Sequence, residues 1–272
     1  MKDIKEITKQ LEDGVKGVYT SEKWMNYLAF MGKFHQYSIN NSLLIWLQNP
    51  KASYVAGYQT WAKKLNRQVR KGEKGITILA PCPHKITKEV VDQDGNLTEK
   101  EINFTTFRTA TVFDISQTDG DAIPEICEEL VGEIDGYEKL YNQLCAVSPV
   151  PVEFEDIQNG ASGYFNSASK VIRIKEGMSQ MQTVKTLIHE IAHSILHDRE
   201  TGEEKEAGRR EKEVQAESVA FVVCSMLGIQ TDDYSFEYIA SWSKGKEAKE
   251  LTASMEVIRK TANQIYDGLT AA

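Results

Sequence analysis

Apolar residues recur every three to four positions along several segments of the chain, which is the period of amphipathic helices. Ser179 with Gln182 three residues later has the spacing of a capping box, so we expect one helix to begin there. The pattern predicts helices over 3–17, 21–37, 40–48, 62–65, 135–146, 179–197, 211–227 and 246–268.

β-Branched residues dominate the middle of the N-terminal half and predict strands over 76–80, 85–91, 98–107 and 109–115. Asp94-Gly95 has the composition of a hairpin turn. Residues 163–175 indicate a second hairpin directly before the 179–197 helix. In a zinc peptidase such an edge strand can accept an extended peptide, while a purely structural hairpin is the alternative interpretation.

The mixture of helices and short strands predicts an α+β protein of two domains. The polar stretch 117–124 is the predicted linker, and the charged stretch 198–213 is a predicted solvated loop. We therefore place an N-terminal domain of helices and a small sheet at residues 1–122. A second domain with a helical core and a small sheet follows at residues 123–272.

The amino-acid composition limits the classes of protein to which this chain can belong. Hydrophobic residues make up 41% of the 272 positions and charged residues 26%, as in soluble globular proteins. No apolar run approaches the roughly 18–20 residues of a membrane span, and the charged start is unlike a signal peptide. Four scattered cysteines without a Cys-x-x-Cys pair favour a reducing compartment, so we expect a cytoplasmic protein without membrane association.

The net charge of −8 argues against nucleic-acid binding, but residues 51–74, here called the basic segment, depart from it. Seven basic residues stand there against Glu73 alone, a net charge of +6 across 24 positions. Tyr58 and Trp61 between them could stack on bases. A solvated basic loop over a core containing Trp61 is the alternative. The candidate phosphate contacts are Lys63, Lys64, Arg67, Arg70, Lys71 and Lys74.

His189-Glu190-x-x-His193 is the clearest chemical signal. On a helix the two histidines lie one turn apart and can reach one Zn²⁺ ion. Glu190 points to one side, where it can act as general base toward a metal-bound water. This pattern predicts a zinc-dependent hydrolase and favours a peptidase. Two ordinary histidines at the border of the core are the alternative.

A zinc site of this kind needs a third protein ligand. His197 is rotated about 80° from His189 around the helix, and no glycine breaks the helix before Gly202. We therefore expect His197 outside the ligand set. Glu217 is the preferred ligand, since a carboxylate beside the apolar run after it would be costly to bury unpaired. Glu213, one turn earlier, is the alternative.

Both halves of the chain resemble one family. Val69-Arg-Lys-Gly-Glu-Lys-Gly-Ile76 and Phe113-Asp-Ile-Ser-Gln-Thr-Asp-Gly120 resemble segments of the N-terminal domain of ArdC-type antirestriction proteins. Residues 163–230 resemble the zincin-like metallopeptidase domain that follows it, which is related to the ImmA/IrrE peptidases. Glu217 matches the third metal ligand of those peptidases, although Ser218-Val219 replaces their Ala-Asn pair.

The resemblance implies single-stranded-DNA binding by the first domain, a zincin-like fold for the second, and carriage on mobile genetic elements. The resulting hypothesis is an antirestriction-like protein with one Zn²⁺, whose partners are single-stranded DNA and a protein or peptide that it cleaves as an endopeptidase. Two alternatives are a DNA-protecting protein with structural zinc and vestigial peptidase activity, and a peptidase acting on a mobile-element repressor.

Overall fold

The computed structural model describes residues 4–91, 97–121, 136–158, 160–198, 208–229, 236 and 239–271. Five predicted features fall wholly or partly outside these residues. They are the first residues of the 3–17 and 135–146 helices, the Asp94-Gly95 turn, the end of the 117–124 linker, and positions 199–207 of the charged loop.

The predicted helices and strands are present, with several boundaries moved. The helices are α1 Ile4–Val18, α2 Ser21–Lys33, α3 Ile39–Gln48, α4 Tyr58–Lys64, α5 Tyr137–Val147, α6 Gln180–Leu196, α7 Arg209–Met226, α8 Ile239–Ser243 and α9 Ala248–Thr270. The strands are β1 Val55–Gly57, β2 Arg67–Val69, β3 Ile76–Val91, β4 Leu97–Asp114, β5 Thr118–Gly120, β6 Val152–Glu155, β7 Gly163–Asn166 and β8 Val171–Lys175. The α+β prediction is confirmed.

The chain divides into two compact units. The first contains Met1–Leu11 and Leu44–Ala122, and the second contains Glu12–Leu43 and Ile123–Ala272. Residues 12–43, which the sequence analysis placed in the first domain, thus group with the second. Helix α2 packs on α7, and Nε1 of the fully buried Trp24 donates a hydrogen bond of 3.1 Å to Oγ of Ser218.

In the first unit, β3 and β4 form one antiparallel ribbon that continues through the predicted break between residues 80 and 85. Strand β1 pairs with the C-terminal end of β4, and β2 pairs with β5 in a separate two-stranded sheet. The amide of Gln48 donates to the carbonyl of Thr77 at 2.9 Å and accepts from its backbone N–H at 3.0 Å. This contact fixes α3 against β3.

The two segments that carried the resemblance in this unit are bonded to each other. Nε2 of Gln117 donates to Oε2 of Glu73 at 3.0 Å and to the carbonyl of Lys74 at 2.8 Å. Asp114 is buried and its Oδ1 accepts from the backbone N–H of Ser53 at 2.8 Å. These motif residues therefore have an architectural role: they close the loop before β3 onto the end of β4.

The second unit is built around α6, which packs on α7 and on the small sheet. The sheet order is β6-β8-β7, so β7 is an edge strand. Ile172 and Ile174 on β8 are completely buried, as are Leu187 and Ile191 on α6. Their burial fixes which face of α6 turns to the core and leaves its other face for the site described next. No helix in the described ranges has the length and apolar character needed to cross a membrane.

Candidate metal centre and basic surface

Helix α6 presents the histidines, and its start is fixed by Ser179, whose side chain accepts a hydrogen bond from the backbone N–H of Gln182 at 3.2 Å. The buried residues of this helix face the core, while His189 and His193 line a cavity of about 630 Å³. The predicted helical placement of the two histidines is thus what the structure shows.

The Nε2 atoms of His189 and His193 lie 3.0 Å apart. Oε2 of Glu213, from α7, lies 3.7 Å from the first and 3.8 Å from the second. Three ligands around a zinc ion at about 2.0–2.1 Å would be separated by about 3.3 Å in tetrahedral geometry. Two imidazoles and one carboxylate at these separations are therefore a donor set that fits such an ion.

Glu217, the preferred third ligand from the sequence, occupies a different place. Its Oε2 lies 3.1 Å from Nδ1 of His189, on the side of the ring away from Nε2. The Glu217 side chain is 21% exposed, so it is less buried than the sequence suggested, and its nearest charged neighbour is the imidazole of His189. Glu213 and Glu217 are one turn apart on α7. The carboxylate of Glu213 therefore lies near the Nε2 atoms of the two histidines, while that of Glu217 lies near Nδ1 of His189. The structure thus brings Glu213, and not Glu217, close to the two Nε2 atoms.

His197 lies outside the cluster formed by His189, His193 and Glu213. It ends α6, and its Nδ1 is 2.8 Å from Nδ1 of His193. Its Nε2 is 3.1 Å from Oε1 of Gln215, a residue of α7 that is only 8% exposed. Burial lowers the pKa of His197 to about 4. The sequence offered no signal for Gln215, since nothing in a chain pattern links a glutamine to a histidine 18 residues away.

Glu190 is 6% exposed and sits beside the two histidines. Burial raises the pKa of its carboxyl, against the lowering effect of His189 and His193 and of a hydrogen bond from the backbone N–H of Phe165 on β7. That bond orients the carboxylate. The position and burial are those that a general base beside a metal requires.

The pKa of His189 is also raised. Burial opposes the charged ring, but the carboxylates of Glu217, Glu190 and Glu213 outweigh that effect. Three acidic groups around one imidazole give the site a negative potential, which favours a cation at the Nε2 atoms.

Strand β7 forms one wall of the cavity through Gly163, Tyr164 and Phe165. Lys175 donates from its backbone N–H to the carbonyl of Ser162, and the register pairs Tyr164 with Arg173. In an antiparallel pair, every second residue of a strand points its backbone N–H and C=O away from the neighbouring strand. The backbone groups of Gly163 and Phe165 therefore face the open edge of β7 and not β8. A side chain at Gly163 would not fit, since a Cβ there would lie 2.7 Å from Cγ2 of Thr186.

Tyr164 is a poor candidate for stabilising an oxyanion. Its hydroxyl donates to Oε2 of Glu155 at 2.9 Å, and the same carboxylate accepts from Arg173 at 3.2 Å. The hydrogen bond to Glu155 raises the pKa of Tyr164. The hydroxyl proton is therefore engaged within the sheet and not in the cavity.

Comparisons with known proteins agree with this architecture. The family model of the N-terminal domain of anti-restriction factor ArdC matches residues 3–113, and that of the IrrE N-terminal-like peptidase domain matches residues 145–263. The crystal structure of metal-free antirestriction ArdC protein from plasmid R388 superposes with a TM-score of 0.59 at 23% identity, covering 86% of each chain.

The chain thus combines a match to the ArdC N-terminal domain with a match to the IrrE-like peptidase domain. The resemblance seen in the sequence is thereby confirmed. The Mn(II)-bound structure of the R388 ArdC protein matches with a TM-score of 0.57 at 20% identity, over 86% of this chain and 85% of that one. An uncharacterized protein of Bacillus anthracis is 29% identical over 97% of this chain. The chain spans about half of that relative, 51% of its length.

Within the ArdC N-terminal domain, the structure corrects the assignment of Trp61. The side chain is completely buried, and its Nε1 donates to the carbonyl of Phe113 at 2.9 Å. A buried ring cannot stack on a base, so Trp61 belongs to the core. Tyr58, three residues earlier on α4, is 51% exposed and is available for stacking.

The two arginines of the basic segment are bonded to their own chain. Arg67 donates through Nε to Oγ1 of Thr118 at 2.8 Å and through Nη1 to the carbonyl of Gly120 at 3.0 Å. Arg70 donates through Nη2 to Oε1 of Glu73 at 2.9 Å and through Nη1 to Asp119 at 3.2 Å. Both guanidinium groups hold β2 and the turn after it against β5.

The four lysines of the predicted phosphate-binding set differ from the arginines. All of them are exposed, two at the end of α4 and two in the turn between β2 and β3. They are Lys63, Lys64, Lys71 and Lys74. The lysines are exposed, whereas the two arginines donate hydrogen bonds within the unit, and Arg70 is exposed as well.

Proposed function

We propose that this ArdC-type protein is a zinc-dependent endopeptidase whose metal is held by His189, His193 and Glu213. The single observation that carries the proposal is the convergence of two Nε2 atoms and one carboxylate oxygen, separated by 3.0, 3.7 and 3.8 Å, beside the buried Glu190. The match to the IrrE-like peptidase domain supports the reaction class. When bound, the metal supplies an acidified water and a Lewis acid for the scissile carbonyl.

Residues of this chain orient the metal ligand and transfer the proton. Glu217 holds the ring of His189 from the Nδ1 side, which keeps Nε2 turned to the cavity. Glu190, oriented by the N–H of Phe165, takes a proton from the attacking water and later delivers it to the leaving nitrogen. Its burial raises its proton affinity, which suits a group that must accept a proton and then release it.

The exposed edge of β7 supports an extended peptide as substrate. The backbone groups of Gly163 and the carbonyl of Phe165 face the cavity edge and can pair with a peptide backbone by strand addition. Because Phe165 also donates to Glu190, the strand that would hold the substrate is bonded to the proposed base.

The first experiment compares Glu190→Gln with Glu176→Gln, which changes an exposed glutamate of the same unit. We expect Glu190→Gln to bind Zn²⁺ with unchanged stoichiometry and to lose cleavage of a fluorogenic peptide library. The control should cleave like wild type, and a chelator should abolish cleavage in both active proteins. Full cleavage by Glu190→Gln would contradict the assigned base.

We further infer that the first unit binds single-stranded DNA through its four exposed lysines and Tyr58, in the cytoplasm of the host cell. The match to the ArdC N-terminal domain supports a DNA partner. Exposed ammonium groups can neutralise phosphates, and an exposed ring can stack on a base. A DNA-protecting protein with structural zinc stays the second candidate, because the basic segment and the cleft lie in different units.

A salt titration with a fluorescent oligothymidylate tests the DNA contact. Each lost phosphate contact should reduce the salt-dependence slope by about 0.7 for a single strand, so Lys63→Ala/Lys64→Ala should reduce it by about 1.4. Lys244→Ala/Lys249→Ala removes two exposed lysines of the other unit and serves as the control. Equal slopes for both double variants would place the contact elsewhere.

A further inference from the structure

A chain of side chains runs from the metal site into the helix pair, and neither the sequence nor the relatives assign it a role. It begins at Nδ1 of His193, passes through His197 at 2.8 Å and ends at Oε1 of Gln215 at 3.1 Å. The three residues come from both sides of the contact between α6 and α7.

The direction of these hydrogen bonds follows from the last member. An amide oxygen only accepts, so Nε2 of His197 must carry the proton that points at Gln215. A neutral imidazole has one N–H, which leaves Nδ1 of His197 bare and able only to accept. The proton between the two Nδ1 atoms therefore belongs to His193, and Nε2 of His193 is left with a free lone pair.

We propose that Gln215, acting through His197, is a positioning residue that sets the tautomer of His193 so that its Nε2 is the metal donor. The inference rests on the proposed metal site but concerns a residue outside the ligand set. His189 has its own partner, since Glu217 lies 3.1 Å from its Nδ1. The site therefore orients its two imidazoles by different means, a carboxylate for one and a neutral histidine–glutamine pair for the other.

The neutral pair has a physical consequence for charge. A second buried carboxylate behind His193 would add negative charge to a site that already holds Glu190, Glu213 and Glu217 around one ring. A glutamine fixes the ring orientation without that charge. Gln215 is 8% exposed, so water has little access to replace its oxygen.

The test uses full-length protein with ¹⁵N-labelled histidine at pH 7.5, first without metal and then titrated with Zn²⁺. In wild type we expect the proton of His197 on Nε2 and that of His193 on Nδ1. Gln215→Met removes the acceptor at similar volume, and it should mix both tautomers and weaken Zn²⁺ binding by about 10-fold, the lower end for outer-shell partners. Gln215→Glu keeps an acceptor at this position and should keep a proton on Nε2 of His197.

Ser218→Ala is the matched control, because it removes another buried polar contact of α7, the one to Trp24, without touching a histidine. It should lower stability and leave the tautomers and the Zn²⁺ affinity unchanged. A proton on Nδ1 of His197 in wild type, or equal Zn²⁺ affinities for Gln215→Met and Ser218→Ala, would overturn the proposal. Failure of wild type to bind Zn²⁺ would instead remove the metal site, and the metal-free spectra would still decide the tautomer.

Discussion

The metal cleft and the basic segment both concentrate charged side chains, but they use them differently. In the cleft, the carboxylate of Glu213 and the Nε2 atoms of His189 and His193 face one point. The carboxylate of Glu217 lies on the opposite side of the His189 ring, near Nδ1. In the basic segment, Arg67 and Arg70 donate hydrogen bonds to carbonyls and carboxylates of their own unit, and Arg70 is still 43% exposed.

The difference teaches that a charged residue in a family motif is not by itself a contact residue. Arginine has five donors in a fixed fork, which suits it to tie several backbone carbonyls together. The lysines around it have one mobile ammonium group each and stay at the surface. The distribution of partners, more than the count of charges, distinguishes the charged residues that are bonded within the fold from those that stay exposed.

The two aromatic residues of α4 give the sharpest contrast. Trp61→Ala should destabilise the first unit by about 3–5 kcal/mol, because it empties a buried site and removes the bond to Phe113. Tyr58→Ala should leave the unfolding midpoint nearly unchanged and weaken binding of single-stranded DNA by about 1–3 kcal/mol. Denaturant unfolding and fluorescence anisotropy measure the two effects. A stable Trp61→Ala variant with weak DNA binding would reverse the assignment.

The two glutamates of α7 test the proposed ligand set. Glu213→Gln should lose more metal affinity than Glu217→Gln, for which a loss of about 10–100-fold is expected of a residue that orients a ligand. Competition with a chromophoric chelator gives both constants. If Glu217→Gln lost the metal and Glu213→Gln retained it, the ligand would be the one first expected from the sequence.

Arginine and lysine in the basic segment should differ in the same way. Arg67→Ala should destabilise the first unit by about 1–3 kcal/mol, as expected when hydrogen bonds from a charged group are lost. Lys63→Ala should leave stability unchanged and weaken DNA binding at low salt only. Unfolding curves and binding at two salt concentrations separate these outcomes. Loss of stability in Lys63→Ala would show that this lysine, too, holds the fold.

The smallest effect concerns Glu73, whose pKa is lowered by hydrogen bonds from Gln117 and Arg70. A carboxyl with a lowered pKa in the folded state adds stability above its unfolded pKa of about 4.5, and this is lost as pH falls through the folded value. The difference in melting temperature between wild type and Glu73→Gln should therefore shrink from pH 6 to pH 3. A difference independent of pH would mean that the carboxyl is not paired in solution.

The helical face that carries His189 and His193 was predictable, because a 3.6-residue period and a capping residue define it locally. The choice between Glu213 and Glu217 was not predictable, because a one-turn spacing places both on the same face of α7. Only the way in which α7 packs against α6 determines which carboxylate comes close to the Nε2 atoms. The sequence contained a usable hint: two carboxylates one turn apart opposite two histidines provide one ligand and one support. No pattern in the sequence indicated the contact between Gln215 and His197.

Some strands were not predicted, because tertiary pairing overrides local composition. Strands β1, β2 and β5 have three residues each, too few for a period to be read. The proline-containing gap between residues 80 and 85 reads as a break, yet β3 continues through it because β4 pairs along its whole length.

The grouping of residues 12–43 with the peptidase unit has a consequence for modularity. The region that matches the ArdC N-terminal domain, 3–113, donates α2 to the other unit, where Trp24 is bonded to Ser218. A fragment starting at residue 123 would bare the face of α7 that α2 covers, so it should express as an aggregate. A recombination junction at residue 123 would uncover the same face of α7, so we expect the two matched domains to be exchanged only together.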